Sequence, residues 1–228
     1  MMHVLLLRLS GPMQSWGVQS RFAVRDAGRE PSKSGVVGLL CAALGRKRHE
    51  PVDDLADLQM GVRVDREGAV GRDYHTAMDV LKASGGIKDT EPSNRYYLAD
   101  ARFLVGLEGD DLDLLTELHA ALCDPHWPLY LGRKAFVPGE PVWLENGLQR
   151  DTELLEALKD YHWLGYDRQA WEEIEQVRVV LEDSEHGTEV RPDQPISFAE
   201  RRFAPRRVTT TFIDKPPFEE VELCISLD

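Results

Sequence analysis

The chain has 228 residues, an apolar fraction of 42% and a formal net charge of −13. That length suits one large domain or a compact domain with a smaller appendage. The longest apolar run, Val36–Leu44, is about half of what a bilayer crossing needs. Met1-Met2-His3 lacks a basic segment leading into a long apolar core, so a secretory leader is not expected. Three widely spaced cysteines, Cys41, Cys123 and Cys224, read as buried reduced thiols of a cytoplasmic protein.

An overall acidic chain argues against a nucleic-acid partner, but the charge is polarised. Up to Arg48 there are eight Lys/Arg against two acids; from Gly139 to Glu189 there are four against fourteen. That polarity suits a basic RNA groove on one face and a solvated or protein-facing surface elsewhere.

In chain order, His3–Leu9 reads as a buried strand ended by Ser10-Gly11-Pro12. Gln14–Pro31 reads as a long ordered loop, a length usually tied to function. Ser32 or Ser34 then caps a helix that ends at Gly45. Gly35 and Gly38 lie on one face of that helix and cost it roughly 2 kcal/mol against alanine, which close approach to a strand or ligand backbone would offset. Gln59–Arg66 alternates as a half-buried strand. Gly68–Leu98 is a polar, glycine-dotted excursion, a hairpin or a flexible finger. Ala101–Glu108 follows as a strand, and Asp111–Leu122 as a helix with acids in its first turn. The order strand, helix, strand, excursion, strand, helix fits a ferredoxin-like βαββαβ plan, with the next strand in or beyond Tyr130–Val142. Thr152–Lys159 and Gln169–Gln176 read as short helices, and Val177–Leu181 and Val221–Leu227 as strands. Pro192–Arg207 has no periodicity. A boundary near Pro138, Gly139 and Pro141 divides the chain into 1–137 and a smaller 138–228.

No phosphate loop, dinucleotide fingerprint, nucleophile elbow, CxxC or HExxH is present, so no metal and no cofactor is expected. The acidic pairs Glu172-Glu173 and Glu219-Glu220 read as solvated. Three clusters instead combine cations, aromatic planes and glycine, as single-stranded RNA requires. The first runs from Gln14 and Trp16 through Arg25 to Ser32, Lys33 and Ser34, where a helix N-terminus attracts phosphate. The alternative is a packed loop with Trp16 in the core. The second joins Arg72, Tyr74 and His75 to Arg95; a solvated or partner-binding hairpin is the alternative. The third is Tyr130, Gly132, Arg133 and Lys134, also readable as an ordinary turn. Arg206, in a late group with Arg201, Arg202 and Arg207, adds to the basic surface.

Taken together these segments resemble one family. Leu6–Gly17 is similar to the LRLxGPMQxWG opening of the type I-E branch of the fifth CRISPR-associated (Cas) protein family, in the RAMP superfamily. Pro31–Leu40 resembles its PTxSGxxGLL segment, and Arg72–Thr76 its RDYHT element. Tyr130–Lys134 resembles YLGRR with lysine last, and Arg202–Arg206 its late RxFAxR element. Gly139–Asp193 carries no matching motif. The resemblance implies an α+β fold: a ferredoxin-like, RRM-related core with a protruding thumb hairpin at about 68–98 and a small C-terminal β region. It implies a non-catalytic subunit of the antiviral Cascade complex. That subunit would hold the five-prime handle of CRISPR RNA and touch the CasC backbone, the large CasA subunit and other Cascade subunits, with no membrane partner. Arg95 and Tyr130 stand where such proteins contact the handle. A metal-independent endoribonuclease acting on precursor RNA, with His75 as its base, is the alternative; type I-E systems give that task to a separate CasE subunit.

Overall fold

The computed structural model describes residues 1–17 and 23–220. Strand β1 (His3–Ser10) is apolar over Val4–Leu7 and at Leu9 because both its faces are covered. Leu5, Leu7 and Leu9 enter one core; Val4 and Leu6 enter a second on the opposite face. The described part of the expected loop Gln14–Pro31 contains two short strands, β2 (Met13–Gln14) and β3 (Val24–Arg25); Arg21 lies outside the described residues.

Helix α1 (Lys33–Leu44) starts and stops where its caps dictate. Ser32 accepts from the Gly35 amide, and Gly45 turns left-handed at φ 75°. The next amide, of Arg46, bonds back to the Cys41 carbonyl. A short α2 (Asp53–Ala56) leads into β4 (Gln59–Arg66), on the residues whose alternation predicts it. The excursion is a hairpin of two thirteen-residue strands, β5 (Ala69–Leu81) and β6 (Ile87–Ala99). Then come β7 (Arg102–Gly109) and α3 (Leu112–Cys123), the latter capped by the Asp111 carboxylate on the Leu114 amide. The next strand is only β8 (Leu148–Gln149), just beyond Tyr130–Val142. The irregular stretch before it still buries Leu131, Phe136 and Val142 in the first core. Helices α4 (Leu154–Asp160) and α5 (Arg168–Glu172) precede β9 (Gln176–Glu182), β10 (Glu189–Ser197) and β11 (Arg202–Asp214).

The result is a mixed α+β, sheet-dominated architecture. One antiparallel seven-stranded sheet runs β10-β11-β9-β4-β7-β1-β8. α1 and α3 pack on one face and α4 on the other. The hairpin belongs to a second, smaller sheet in which β6 pairs with β2, β3 and β5.

Two expectations change. Pro192–Arg207 has no periodicity, yet it forms most of β10 and the start of β11. Two register shifts break the alternation, and Pro192 and Pro195 are tolerated because β10 is the sheet's edge. Cys41 is buried, and burial pushes its thiol up to about 11. Cys123, expected inside, is exposed because the last residue of α3 faces away from the sheet. Cys224 and the expected strand Val221–Leu227 lie outside the described residues. No helix among the described residues is long and apolar enough to cross a membrane.

Candidate functional site

The base of the hairpin gathers positive charge. Strand β3 lies parallel to β6 with Arg25 opposite Arg95, and β5 puts Asp73 opposite Arg95 from the other side. Cross-strand partners share a face, so Arg25, Arg95 and Asp73 form one row. One step along that face, the Tyr97 ring covers Gly71 and packs against Phe136, with centroids 6.0 Å apart. The loop after α3 brings Arg133 to the same place. Its Nη2 donates to the Tyr96 carbonyl at 2.8 Å, and its guanidinium lies 5.3 Å from the centre of the Phe136 ring. Burial lowers the Arg133 pKa, and the guanidiniums of Arg95 and Arg25 lower it further; Asp73 and Asp26 oppose the shift. Three guanidiniums therefore converge where an anion would relieve their repulsion.

The loop's shape explains its glycine. Gly132 has φ 85°, and a Cβ there would fall 1.8 Å from the Ser15 carbonyl oxygen. The Ser15 amide donates to the Leu131 carbonyl at 3.1 Å, and its hydroxyl donates to the Tyr96 carbonyl at 3.2 Å. Gly132 thus locks the loop to the segment after β2, and that lock presents Arg133. Sequence reading gives Phe136 no part in these clusters and carries Ser15 and Tyr97 only as neighbours of Trp16 and Arg95, with no role of their own; the glycine between Leu131 and Arg133 is the available signal for Ser15.

The other sequence-predicted residues divide by depth. Gln14 is wholly buried: its Nε2 donates to the carbonyls of Leu9 (3.1 Å) and Ala101 (2.7 Å), and its Oε1 accepts from Trp16 Nε1. Trp16 is 1% exposed, with its ring against Gly35. Ser32 caps α1. Lys33 is buried and its ammonium meets both Glu182 oxygens at 2.9–3.0 Å. Burial lowers the Lys33 pKa and the Glu182 carboxylate opposes this. The Lys33 amide donates to Asp193 at 2.8 Å, and Asp193 also takes two bonds from the buried Arg206. The N-terminus of α1 therefore already holds a carboxylate. Neither acid partner was legible, being 149 and 160 residues from Lys33.

The exposed set is also divided. Arg72 and Tyr74 pair with Tyr96 and Asn94, on the opposite face of the hairpin from Arg95. His75, opposite Ser93, shares the Arg95 face and is exposed. Lys134 is exposed. Ser34, Tyr130 and Gly132 line a separate groove of about 330 Å³ along α1, with Trp127 and Phe198. Among the described residues no group of three His, Cys, Asp or Glu is placed to hold a metal ion.

Comparison with known proteins follows the same lines. Residues 4–209 match the family model described as CRISPR-associated protein (Cas_Cas5). The chain is 33% identical over 221 residues to the CRISPR system Cascade subunit CasD of Escherichia coli (strain K12), covering 89% of this chain and 92% of that protein. A structure described as a crystal structure of a Cas protein superposes with a TM-score of 0.78 at 45% identity, over 96% of this chain and 100% of that one. A chain of a CRISPR RNA-guided surveillance complex superposes with a TM-score of 0.77 at 34% identity, over 93% and 91%. The chain belongs to the CRISPR-associated protein (Cas_Cas5) family.

Proposed function

We propose that this chain holds the five-prime handle of a CRISPR RNA, without cutting it, as a subunit of a Cascade assembly. The observation that carries this reading is the convergence of Arg25, Arg95 and Arg133 at the hairpin base of a chain with net charge −13. A strongly acidic molecule gathers three guanidiniums on one surface most economically for an anion. In this reading phosphates lie on Arg25, Arg95 and Lys134, while His75, Tyr130 and, from the far face, Arg72 and Tyr74 meet bases or sugar. Arg133 and Gly132 set the loop. Gln14, Trp16, Ser32, Lys33 and Arg206, buried or bonded internally, shape the face from beneath.

The strand order β4-β7-β1-β8, with α1 and α3 on one face, supports a ferredoxin-like core. The β5–β6 hairpin is then its thumb. In the same proposal residues 138–228 form the C-terminal β region, the CasC backbone and CasA subunit are the neighbours, and the compartment is the cytoplasm. A holding role is favoured over endoribonuclease chemistry because a general base needs an orienting partner, and His75 has none among the described residues.

We expect Arg95→Ala to weaken binding of repeat-derived single-stranded RNA by about tenfold and to reduce the slope of log K against log salt by about 0.7–1. Fluorescence anisotropy with the full-length chain measures both; wild-type affinity and slope would sink the assignment. Incubation with precursor repeat RNA in a chelator should leave the RNA intact. Cleavage lost in His75→Ala would establish the nuclease instead.

A further inference from the structure

A cleft of about 440 Å³ lies between the last residues of β4 and the α5 segment, and none of its lining residues belongs to the three clusters read from the sequence. Trp163, buried, and Tyr166, 54% exposed, line it together with Ala170 and Ile174. The Trp163 ring is fixed by the bond from its Nε1 to the Asp65 carbonyl at 3.1 Å. A smaller hollow of about 240 Å³ beside the Ser10-Gly11-Pro12 turn shares Arg66 and Arg102 with this cleft.

A bulge sets the charge between them. Val64 opposes Phe103 and Arg66 opposes Arg102, so Asp65 is the extra residue of β4. Its carboxylate turns inward to the buried Arg63. Two guanidiniums are thereby left directly opposite each other, which costs stability unless an anion joins them. Arg102 has its anion: Nη1 donates to Glu140 at 2.7 Å and to the Leu164 carbonyl at 2.8 Å, and the guanidinium lies 5.0 Å from the centre of the Tyr166 ring. Arg66 has none; it is exposed and makes no hydrogen bond or ion pair among the described residues. The acids nearby are committed or stand apart. Glu140 is taken by Arg8, Arg102, Ser10 and Tyr166, and Asp167 caps α5. Asp100 lines only the smaller hollow.

We propose that this cleft docks one carboxylate-bearing segment of a neighbouring protein subunit, an inference that rests on reading the chain as part of a larger assembly. An Asp or Glu side chain of the neighbour lies against Arg66, opposite Arg102, and an apolar side chain beside it packs on Trp163, Ala170 and Ile174. The charge pattern selects protein over RNA. Successive phosphates of a strand would run past Asp100, Glu140 and Asp167, whereas a single carboxylate meets the one free cation. Tryptophan, tyrosine and arginine gathered around an apolar floor are also the composition of a protein interface centre.

The test uses the full-length chain co-expressed with the other subunits and the guide RNA, the assembly being purified through a tag on another subunit. Arg66→Glu places a negative charge where the neighbour's carboxylate sits and should lower the chain's occupancy of the assembly by about tenfold; Arg66→Lys should restore most of it. The isolated Arg66→Glu chain should bind repeat-derived single-stranded RNA, and unfold in urea, as wild type does. Ala170→p-benzoylphenylalanine should, on irradiation of the assembly, cross-link to a peptide of another subunit that contains Asp or Glu. Full occupancy of Arg66→Glu overturns the docking site and leaves the subunit reading intact. A cross-link to RNA, or to a second copy of this chain, overturns it in favour of that occupant. Occupancy lost together with a lowered urea midpoint traces to folding, and the cross-link from Ala170 then decides. If the wild-type chain itself does not enter the assembly, the subunit reading falls and the docking site falls with it.

Discussion

Gly35 and Gly38 lie one turn apart on α1 and carry the same propensity penalty, yet they do different work. A Cβ at Gly35 would fall 2.9 Å from the Trp16 ring, which is itself fixed by the bond from its Nε1 to Gln14. A Cβ at Gly38 meets ordinary van der Waals contact alone. We therefore expect Gly35→Ala to destabilise the protein by about 1–3 kcal/mol through overpacking. Gly38→Ala should stabilise it by up to about 1 kcal/mol through helix propensity. Urea unfolding of the two variants against wild type separates them; opposite signs are the expected result, and two stabilising substitutions would refute the packing of Trp16. Composition shows both glycines, but only the fold says which of them a neighbour requires.

Between elements, Glu140 ties β1, β7 and the later chain together. It accepts from the Ser10 hydroxyl at 2.9 Å and pairs with Arg8 at 3.0 Å and Arg102 at 2.7 Å, and the Tyr166 hydroxyl donates to it as well. Burial alone would raise its pKa, but the hydrogen bonds from Tyr166 and Ser10 and the charges of Arg8 and Arg102 outweigh that and hold it below the ordinary glutamate value. A carboxylate held low contributes stability above its unfolded pKa, about 4.3, and loses it as pH falls through the lower folded value. Glu140→Gln should cost about 1.5–3 kcal/mol at neutral pH, and the gap from wild type should close below about pH 4. Denaturant melts across pH test this; a gap constant into acid would show that the charge plays no part. The same element scale explains why the hairpin was legible and its facing was not. Polar, glycine-dotted sequence marks a long excursion, but only the register in which Arg95 opposes Asp73, and Tyr74 opposes Asn94, assigns Arg95 and Tyr74 to opposite faces.

Across the whole molecule, the C-terminal strands are joined to α1 by buried charge. Asp193 of β10, 2% exposed, holds Arg206 of β11 and the Lys33 amide, while Glu182 of β9 holds the Lys33 ammonium. Asp193→Ala removes both hydrogen bonds from the buried Arg206 guanidinium and leaves it only the Glu182 carboxylate at 3.8 Å, and we expect a loss of about 3–5 kcal/mol. The double variant Asp193→Ala with Arg206→Ala should lose less than the sum of the two single changes. Full additivity in chemical unfolding would mean that the pair does not interact. Lys33 and Arg206 each sit in a motif that suits phosphate, and nothing in the amino-acid order distinguishes them from Arg95. Their acid partners lie in strands far along the chain, one of them in the stretch Pro192–Arg207 whose bulges and prolines hide the strand period. Local order along the chain was enough for β1, β4, α1 and α3, because apolar periodicity and capping are set by residues a few places apart. It was also enough for the family, through motifs spread from Leu6 to Arg206. Folding in three dimensions was needed to say which cations face outward: burial and ion pairing are properties of distant neighbours, and they leave Arg25, Arg95 and Arg48 on the surface while enclosing Lys33 and Arg206.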